Sequence, residues 1–168
     1  VVYWANMPDI IVIAQNIRST HNVGALFRTA DGFGVSKIIL SGYTPYPKQQ
    51  PDPRLPHIAE KLHAQIHKTA LGAESTVPFE YHETLDLQSI KDQGYTLIAL
   101  EQNEQSTLLQ HYTSPAKVAL LLGEEVHGIT NEHLEQCDAV IEIPMQGKKE
   151  SFNVSVAAGI ALYALSIQ

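Results

Sequence analysis

The sequence predicts an α/β domain with a mostly parallel β-sheet flanked by helices, and two observations support this prediction. Short apolar runs alternate with helical patterns along the whole chain. Most of these runs show no polar–apolar alternation, which is typical of strands that are covered on both faces. Strands that alternate with helices form parallel sheets, because each helix returns the chain to the same edge of the sheet.

The apolar runs define the predicted strands, and the patterns between them define the helices. Strands are predicted at residues 9–14, 36–40, 77–81, 95–100, 117–123 and 139–145. Helices are predicted at residues 22–33, 57–70, 85–93, 131–137 and 154–166. Residues 41–56 form the only long Pro-rich loop, and loops of that length inside a compact domain commonly have a functional role. No repeat or linker divides the chain, so residues 1–168 are expected to form a single domain.

Composition excludes several classes of protein. The net charge of −7 argues against a protein that coats nucleic acid without specificity. The single cysteine, Cys137, excludes an internal disulfide framework and a Cys-rich zinc module, and it fits a reducing cytoplasm. The apolar run from Val154 to Ile167 is too short to span a bilayer and is interpreted as a buried helix. We therefore expect a cytoplasmic protein that does not insert into a membrane.

Polar, glycine-bearing clusters follow four of the predicted strands. They lie at residues 15–34, 101–103, 123–128 and 146–153. Ligands of parallel sheets bind beyond the carboxyl ends of the strands. Four clusters at one edge of the sheet therefore predict one functional site there.

The usual nucleotide-binding fingerprints are missing from these clusters. Neither G-x-G-x-x-G after a strand nor G-x-x-x-x-G-K-[ST] is present. The segment "GFGVSK" has only the first spacing, and Gly32 and Gly34 in it are more simply explained as helix-ending glycines. A nucleotide-dependent oxidoreductase or NTPase is therefore disfavoured.

Individual residues of the clusters have more than one interpretation. Arg28 either pairs with Asp31 or projects over small helical neighbours that let a ligand approach closely. Asn22 and Asn153 are suitable helix caps, whereas Ser151 is not needed for a cap. Gly123 would let a ligand pass close to a strand end, and an inward-facing glutamate after it would need a partner such as Arg28.

Histidine spacing raises the possibility of a metal site in the basic stretch 48–68. His63 and His67 are four residues apart, and Glu60 lies three residues before His63. A further convincing ligand is missing, so we interpret this helix face as a basic surface and expect no metal.

Three stretches of the chain together carry a family resemblance. They are "NIRSTHNVGALFRTADGFGV", "VALLLGEEVHGIT" and "IEIPMQGKKESFNVSVAAGIALYAL". In order and spacing they resemble the three signature motifs of the SpoU (TrmH) family of SPOUT RNA methyltransferases. The resemblance implies transfer of a methyl group from S-adenosylmethionine to a ribose 2′-hydroxyl of tRNA or rRNA. It also implies an α/β fold with a C-terminal trefoil knot.

The resemblance assigns roles residue by residue. It implies catalytic roles for Asn22, Arg28, Glu125, Ser151 and Asn153. It implies cofactor contacts, mostly through backbone groups, from Leu100, Gly123, Ile143, Phe152 and Asn153. Phe152 stands where the family usually has leucine, and a backbone contact remains possible there.

RNA binding by an acidic chain would have to rely on a local basic patch. The candidate residues are Arg18, His21, Arg28, Lys48, Arg54, Lys61 and Lys68. The family proposal makes Arg28 the general base, but a guanidinium that stays charged is a poor base. We expect Arg28 to hold an RNA phosphate and to stabilise the developing alkoxide.

Two further expectations concern partners and alternatives. A homodimer is expected to bury the last helix, whose residues Val154, Ala158, Ala161 and Leu165 form an apolar stripe that could equally be internal core. A catalytically silent RNA-binding homologue of the same fold is the alternative function. It is disfavoured because all five matched polar residues are present.

Overall fold

The computed structural model describes residues 7–167, which form one parallel sheet covered by helices. The strands are β1 Asp9–Gln15, β2 Lys37–Ser41, β3 Phe79–His82, β4 Thr96–Leu100, β5 Thr107–Leu108, β6 Lys117–Leu122 and β7 Ala139–Glu142. Their order in the sheet is β3-β2-β1-β6-β4-β7-β5, and every strand pair is parallel. The predicted fold class is confirmed. The predicted domain 1–168 also includes residues 1–6 and 168, which lie outside the described residues.

Six helices connect or follow the strands. They are α1 Thr20–Gly32, α2 Pro56–Ala70, α3 Ala73–Thr76, α4 Leu87–Asp92, α5 Asn131–Leu134 and α6 Val154–Ser166. All five predicted helices are present, although α4 and α5 are shorter than predicted. Three short elements were not predicted, namely β5, α3 and a 3-10 helix at Leu109–His111.

The two faces of the sheet are covered by different helices. On one face, α1, α2 and α6 pack on a large core that includes Val12, Phe27 and Leu162. On the other face, α4 and the residues around α5 cover a smaller core that includes Ile13 and Leu97. Because strand β1 is buried on both faces, its sequence is continuously apolar.

Helix α1 packs closely on α2, and Gly24 makes this approach possible. A Cβ at Gly24 would collide with the Oγ1 of Thr69 and the carbonyl oxygen of Ile66. The small residues beside Arg28 were interpreted as space for a ligand. At Gly24 that interpretation is wrong, because α2 occupies the space.

The stripe that was expected to form a dimer interface is part of the internal core. Ala158, Ala161 and Leu165 are fully buried within the single chain, and Val154 packs against the same core. The exposed apolar residues of α6 lie on its opposite face. An intersubunit role for the predicted stripe is therefore wrong.

Between residues 7 and 167, no helix combines the length and the apolarity needed to cross a membrane. The strand order agrees with the fold that the resemblance implies, and the threading of a trefoil knot stays a prediction.

Candidate functional site

A cavity of about 560 Å³ lies where the carboxyl ends of three neighbouring strands meet. The ends of β4, β6 and β7 form its floor, and the segments 124–128 and 150–154 form its walls. Its size falls within the range of small-molecule sites, about 300–1,000 Å³. The five predicted cofactor contacts all line it: Leu100, Gly123, Ile143, Phe152 and Asn153. Their role in binding stays a prediction.

Glu125 connects the segment after β6 to the start of α1. One carboxylate oxygen accepts a hydrogen bond from the backbone N–H of Arg18 at 3.1 Å. The other accepts from the side-chain amide of Asn22 at 3.0 Å and from the backbone N–H of Ser19 at 3.4 Å. This carboxylate therefore fixes the loop that leads into α1.

The hydrogen bonds also keep Glu125 ionised. Partial burial raises the pKa of its carboxyl, but the donors from Arg18, Asn22 and Ser19 outweigh burial and hold the pKa below its usual value. A carboxylate with a lowered pKa and three donors is a weak base. Its geometry fits the orientation of neighbouring groups better than proton removal.

Asn22 and Asn153 join two motifs that are far apart in the sequence. The amide of Asn153 donates to the side-chain oxygen of Asn22 at 3.1 Å. The side-chain oxygen of Asn153 accepts from the backbone N–H of Ser155 at 3.0 Å and so caps α6. Ser19, not Asn22, caps α1. Asn22 is therefore available to bridge Glu125 and Asn153.

Gly123 also meets a steric requirement of the fold, beside its predicted contact with the cofactor. A Cβ at this position would lie 2.6 Å from the carbonyl oxygen of Gly128 and 2.6 Å from the backbone nitrogen of Ile129. Its missing side chain therefore lets the segment 124–128 fold back over the strand end. The glycine shapes the cavity wall by allowing backbone to approach backbone.

Arg28 and Ser151 differ from the connected residues because their side chains are exposed and free. Within residues 7–167, neither side chain takes part in a hydrogen bond or an ion pair. Ser151 lines the cavity, whereas Arg28 lies outside its wall on α1. The suggested pairing of Arg28 with Asp31 or with a glutamate after β6 is therefore wrong in this chain.

Glu124, which precedes Glu125, carries the ion pair instead. Its side chain is only 15% exposed and pairs with the Nη2 of Arg18 at 3.1 Å and with the Nδ1 of His127 at 2.9 Å. Arg18 itself is 72% exposed. One face of the Arg18 guanidinium thus remains open to an anion.

Arg54 was predicted to bind phosphate, but its guanidinium is occupied inside the long loop. It forms two bonds to the carboxylate of Asp52, at 2.9 and 2.6 Å, and donates to the carbonyl oxygens of Tyr46 and Pro47. It also lies 3.5 Å above the ring of Tyr46, which stacks in turn on Tyr81. The structure gives Arg54 a loop-organising position, because its donors point into the loop and not to solvent.

The other predicted RNA contacts divide into two groups. Lys48 pairs with Glu60 at 3.1 Å on the surface of α2. The remaining side chains, those of His21, Lys61 and Lys68, are exposed and have no hydrogen bond or ion pair with another residue in the range 7–167. The latter three are the most available to an anion.

Two histidines of α2, His63 and His67, are also occupied. The Nδ1 of His63 lies 3.3 Å from the backbone nitrogen of Lys48, and the Nδ1 of His67 lies 2.6 Å from the buried carboxylate of Glu74. In the described part of the chain, no group of three or more potential ligands could hold a metal ion. The absence of a metal from the function stays a prediction.

Sequence reasoning missed the role of Glu101. One carboxylate oxygen accepts from the backbone N–H of Ile129 at 3.0 Å, and the other accepts from that of Gln102 at 2.9 Å. Glu101 thereby ties the end of β4 to the segment after β6, and it lines the cavity. Its place in the polar cluster after β4 was the signal that could have identified it.

Known proteins resemble this chain over most of its length. The model of the SpoU rRNA Methylase family matches residues 9–163. The chain is 34% identical over 158 residues to the 23S rRNA (guanosine-2′-O-)-methyltransferase RlmB of Nitrosomonas europaea, covering 93% of this chain and 55% of the relative. It is 34% identical over 157 residues to the RlmB of Neisseria meningitidis, covering 92% and 57%. The chain thus spans a little more than half the length of these relatives.

Solved structures show the same architecture. An AdoMet-bound rRNA methyltransferase from Sinorhizobium meliloti has a TM-score of 0.76 at 25% identity, covering 95% of this chain and 56% of that one. The A. aeolicus TrmH/SpoU tRNA modifying enzyme has a TM-score of 0.76 at 26% identity, covering 98% and 77%. The family match extends over all three motifs that meet at the cavity. The chain belongs to the SpoU rRNA methylase family.

Proposed function

We propose that this chain is the catalytic domain of an RNA methyltransferase that methylates a ribose 2′-hydroxyl with S-adenosylmethionine as donor. The observation that carries the proposal is that Glu125 and Asn153 line one cavity and that Asn22 joins them by hydrogen bonds. These residues come from three separate motifs of the family whose model matches the chain. Ribosomal RNA is the substrate class we favour, because two curated relatives that are 34% identical to the chain are named as 23S rRNA methyltransferases.

The residues of the cavity fit S-adenosylmethionine. Leu100 and Ile143 offer apolar surface for a purine, and Glu101 and Glu142 offer carboxylates in the same wall. Carboxylates are suitable partners for ribose hydroxyls and for a positively charged ligand. Bound there, the cofactor would supply an electrophilic methyl group.

Arg28 has the properties needed to act on the RNA and not on the cofactor. Its side chain is exposed, has no partner within residues 7–167, and lies outside the cavity wall. A free guanidinium can bind a phosphate through two parallel hydrogen bonds. It can also stabilise negative charge that develops on the ribose oxygen.

Glu125 and Asn153 are positioning residues in this proposal. Glu125 holds the backbone before α1 together with Asn22, and Asn153 holds Asn22 from the other side. The free hydroxyl of Ser151 lies in the same wall and is available to the substrate. Well-oriented reacting groups can contribute up to about 7–11 kcal/mol to a barrier reduction.

The catalytically silent alternative receives no support. All five polar residues of the motifs are present, and two of them, Arg28 and Ser151, are left without internal partners. Such residues would be expected to pair internally if they served the fold alone. A cytoplasmic location follows from the proposed substrate.

A homodimer also belongs to the proposal, through a different face of α6 from the predicted stripe. Val156, Ile160, Tyr163 and Ile167 are between 38% and 62% exposed and recur at helical spacing. Such a row of apolar side chains suits an interface between two copies of the chain. Sedimentation should show a dimer at micromolar concentration, and Ile160→Glu should give a folded monomer. A monomeric parent would contradict this part of the proposal.

Calorimetry and methyl transfer test the proposed activity together. S-adenosylmethionine and S-adenosylhomocysteine should bind, NAD should not, and labelled methyl should appear in ribosomal RNA. A protein that binds NAD, or that binds S-adenosylmethionine but labels no RNA, would overturn the proposal. Total tRNA, tested in parallel, distinguishes the two substrate classes.

A further inference from the structure

A second cavity of about 560 Å³ lies beside the first, at the carboxyl ends of β1 and β2. Arg18 and Ser19 line it, while their backbone N–H groups donate to Glu125, which lines the first cavity. The two cavities are therefore separated by this one segment. Because the first cavity is the proposed cofactor site, an RNA that presents its ribose at that site would also pass the second cavity.

Tyr43 presents an exposed ring at the second cavity on a firmly held turn. Its backbone N–H donates to the Oδ1 of Asn16 at 3.3 Å, and the preceding carbonyl accepts from the hydroxyl of Tyr81 at 2.6 Å. The hydroxyl of the next residue, Thr44, is buried and accepts from the backbone N–H of Ile17. The turn is thus fixed, although the Tyr43 ring is 51% exposed.

The other two tyrosines of the cavity are occupied. The ring of Tyr46 has Arg54 on one face at 3.5 Å and Tyr81 on the other at 4.1 Å. The hydroxyl of Tyr43 interacts with Arg18 and Glu124, and the guanidinium of Arg18 lies as far as 6.0 Å from the centre of its ring. Tyr43 is therefore the ring with an open face.

Gln65 of α2 supplies an unused polar group across the same cavity. Its side chain is half-buried and forms no hydrogen bond with any residue in the range 7–167. A carboxamide can donate and accept at once, which matches the edge of a nucleobase. Leu62, one turn earlier on α2, adds an apolar side chain to the wall.

We propose that this second cavity binds a nucleobase of the substrate RNA adjacent to the methylated nucleotide. The base stacks on Tyr43, its edge pairs with Gln65, and the exposed Arg18 faces the connecting phosphate. Aromatic stacking accepts every base, whereas pairing with Gln65 selects among them. The identity of the ligand as RNA rests on the proposed function.

Direct RNA binding tests the inference independently of methyl transfer. Affinity for a 23S rRNA transcript is measured with S-adenosylhomocysteine present, for the parent, Tyr43→Ala, Tyr43→Phe and Gln65→Met. Tyr43→Ala should weaken RNA binding about tenfold, and Tyr43→Phe should stay within about twofold of the parent. Gln65→Met should weaken it about fivefold, whereas the control Gln88→Met on α4 should not. Unchanged S-adenosylhomocysteine affinity shows that each variant is folded.

Photo-crosslinking provides a second measurement on the unaltered protein. A transcript that carries 4-thiouridine should crosslink to the peptide that contains Tyr43. Tyr43→Ala with parental RNA affinity, or a transcript that crosslinks only elsewhere, would overturn the inference. If the parent methylates RNA while Tyr43→Ala is unchanged, the nucleobase site fails and the proposed function stands. If RNA binding depends on Tyr43 but no methyl is transferred, the proposed function fails and the nucleobase site stands.

Discussion

Helix α1 and the long loop 41–56 each contain an arginine that the sequence predicts to bind RNA, and the two arginines differ in the contacts they make. Arg28 on α1 is exposed and has no partner among residues 7–167. Arg54 in the loop donates hydrogen bonds to the carboxylate of Asp52 and to two carbonyl oxygens, and its side chain is only 14% exposed. An arginine such as Arg54, whose guanidinium is bonded inside the fold and shielded from solvent, is poorly available to a ligand.

The same contrast explains how each region is held together. The part of the loop around Arg54 is held by local contacts, since the hydrogen-bond partners of Arg54 lie within eight residues of it. The rim around α1 is held by Glu125 and Asn153, which are 103 and 131 residues away from Asn22. The contacts of Arg54 therefore organise one loop, whereas the contacts of Asn22 bring separate motifs to one place.

The largest expected effect comes from removal of the free arginine. Arg28→Ala should lower turnover at least about a hundredfold, because a donor to developing charge is lost. S-adenosylmethionine affinity should stay within about twofold, since Arg28 lies outside the cavity wall. Single-turnover methyl transfer and calorimetry measure the two quantities. Loss of cofactor affinity in this variant would place Arg28 in the cofactor site and contradict the assignment.

Weakening of the distant contacts should have the next largest effect. Glu125→Gln removes the charge that accepts from the backbone before α1, so turnover should fall about tenfold through misplacement of the rim. The free energy of unfolding should fall by no more than about 1 kcal/mol, because the group is exposed. Glu135→Gln, at the exposed end of α5, is the matched control. A full loss of stability with normal specific activity would reverse this interpretation.

A paired substitution separates a free charge from a bound one. Lys61→Ala should leave stability unchanged and lower the salt slope of RNA binding by about one unit. Arg54→Ala should lower the free energy of unfolding by about 1–2 kcal/mol and leave the salt slope unchanged, since it removes charge-assisted bonds inside the loop. Chemical denaturation and RNA titrations at several salt concentrations measure both. If Arg54→Ala lowered the salt slope, this result would show that Arg54 binds an RNA phosphate.

The smallest expected effect concerns acid stability. Hydrogen bonds from Arg54 hold the pKa of the Asp52 carboxyl well below its usual range, more than burial raises it. A carboxyl with a lower pKa in the folded state stabilises the fold above its unfolded pKa of about 3.9 and loses that contribution as pH falls further. Asp52→Asn should therefore be less stable than the parent by about 1 kcal/mol at neutral pH. The difference in the free energy of unfolding between the two proteins should disappear in strong acid. A difference that increased as pH fell would contradict the predicted direction.

Some of this architecture could be predicted from the sequence because it depends on burial. Continuous apolar runs identified every strand except β5, and Thr107–Leu108 shows no such run because it pairs only at the sheet edge with β7. The polar clusters after β4, β6 and β7 line one cavity, and the cluster after β1 is joined to it by the hydrogen bonds of Arg18, Ser19 and Asn22 to Glu125. Here the position of a strand end in a parallel sheet was sufficient information.

Other features could not be predicted, for identifiable physical reasons. Helix α6 is apolar on all sides, so its periodicity could not show whether Ala158 or Ile160 faced the core. The state of Arg54 depends on how one irregular loop folds around Asp52 and Tyr46, which spacing does not reveal. Ser19 rather than Asn22 caps α1. The sequence could not identify the cap, because both residue types are suitable and only the backbone conformation selects one of them.

The position of the transferred methyl group tests the central claim most directly. Ribosomal RNA is incubated with the parent and labelled S-adenosylmethionine, digested with alkali, and analysed for resistant dinucleotides. Methylation of a ribose 2′-hydroxyl blocks alkaline cleavage at that nucleotide, so the label should appear in one resistant dinucleotide. Arg28→Ala should yield no label there, whereas Arg54→Ala should yield the same product. Label recovered only in alkali-sensitive mononucleotides, as base methylation would give, would contradict the account.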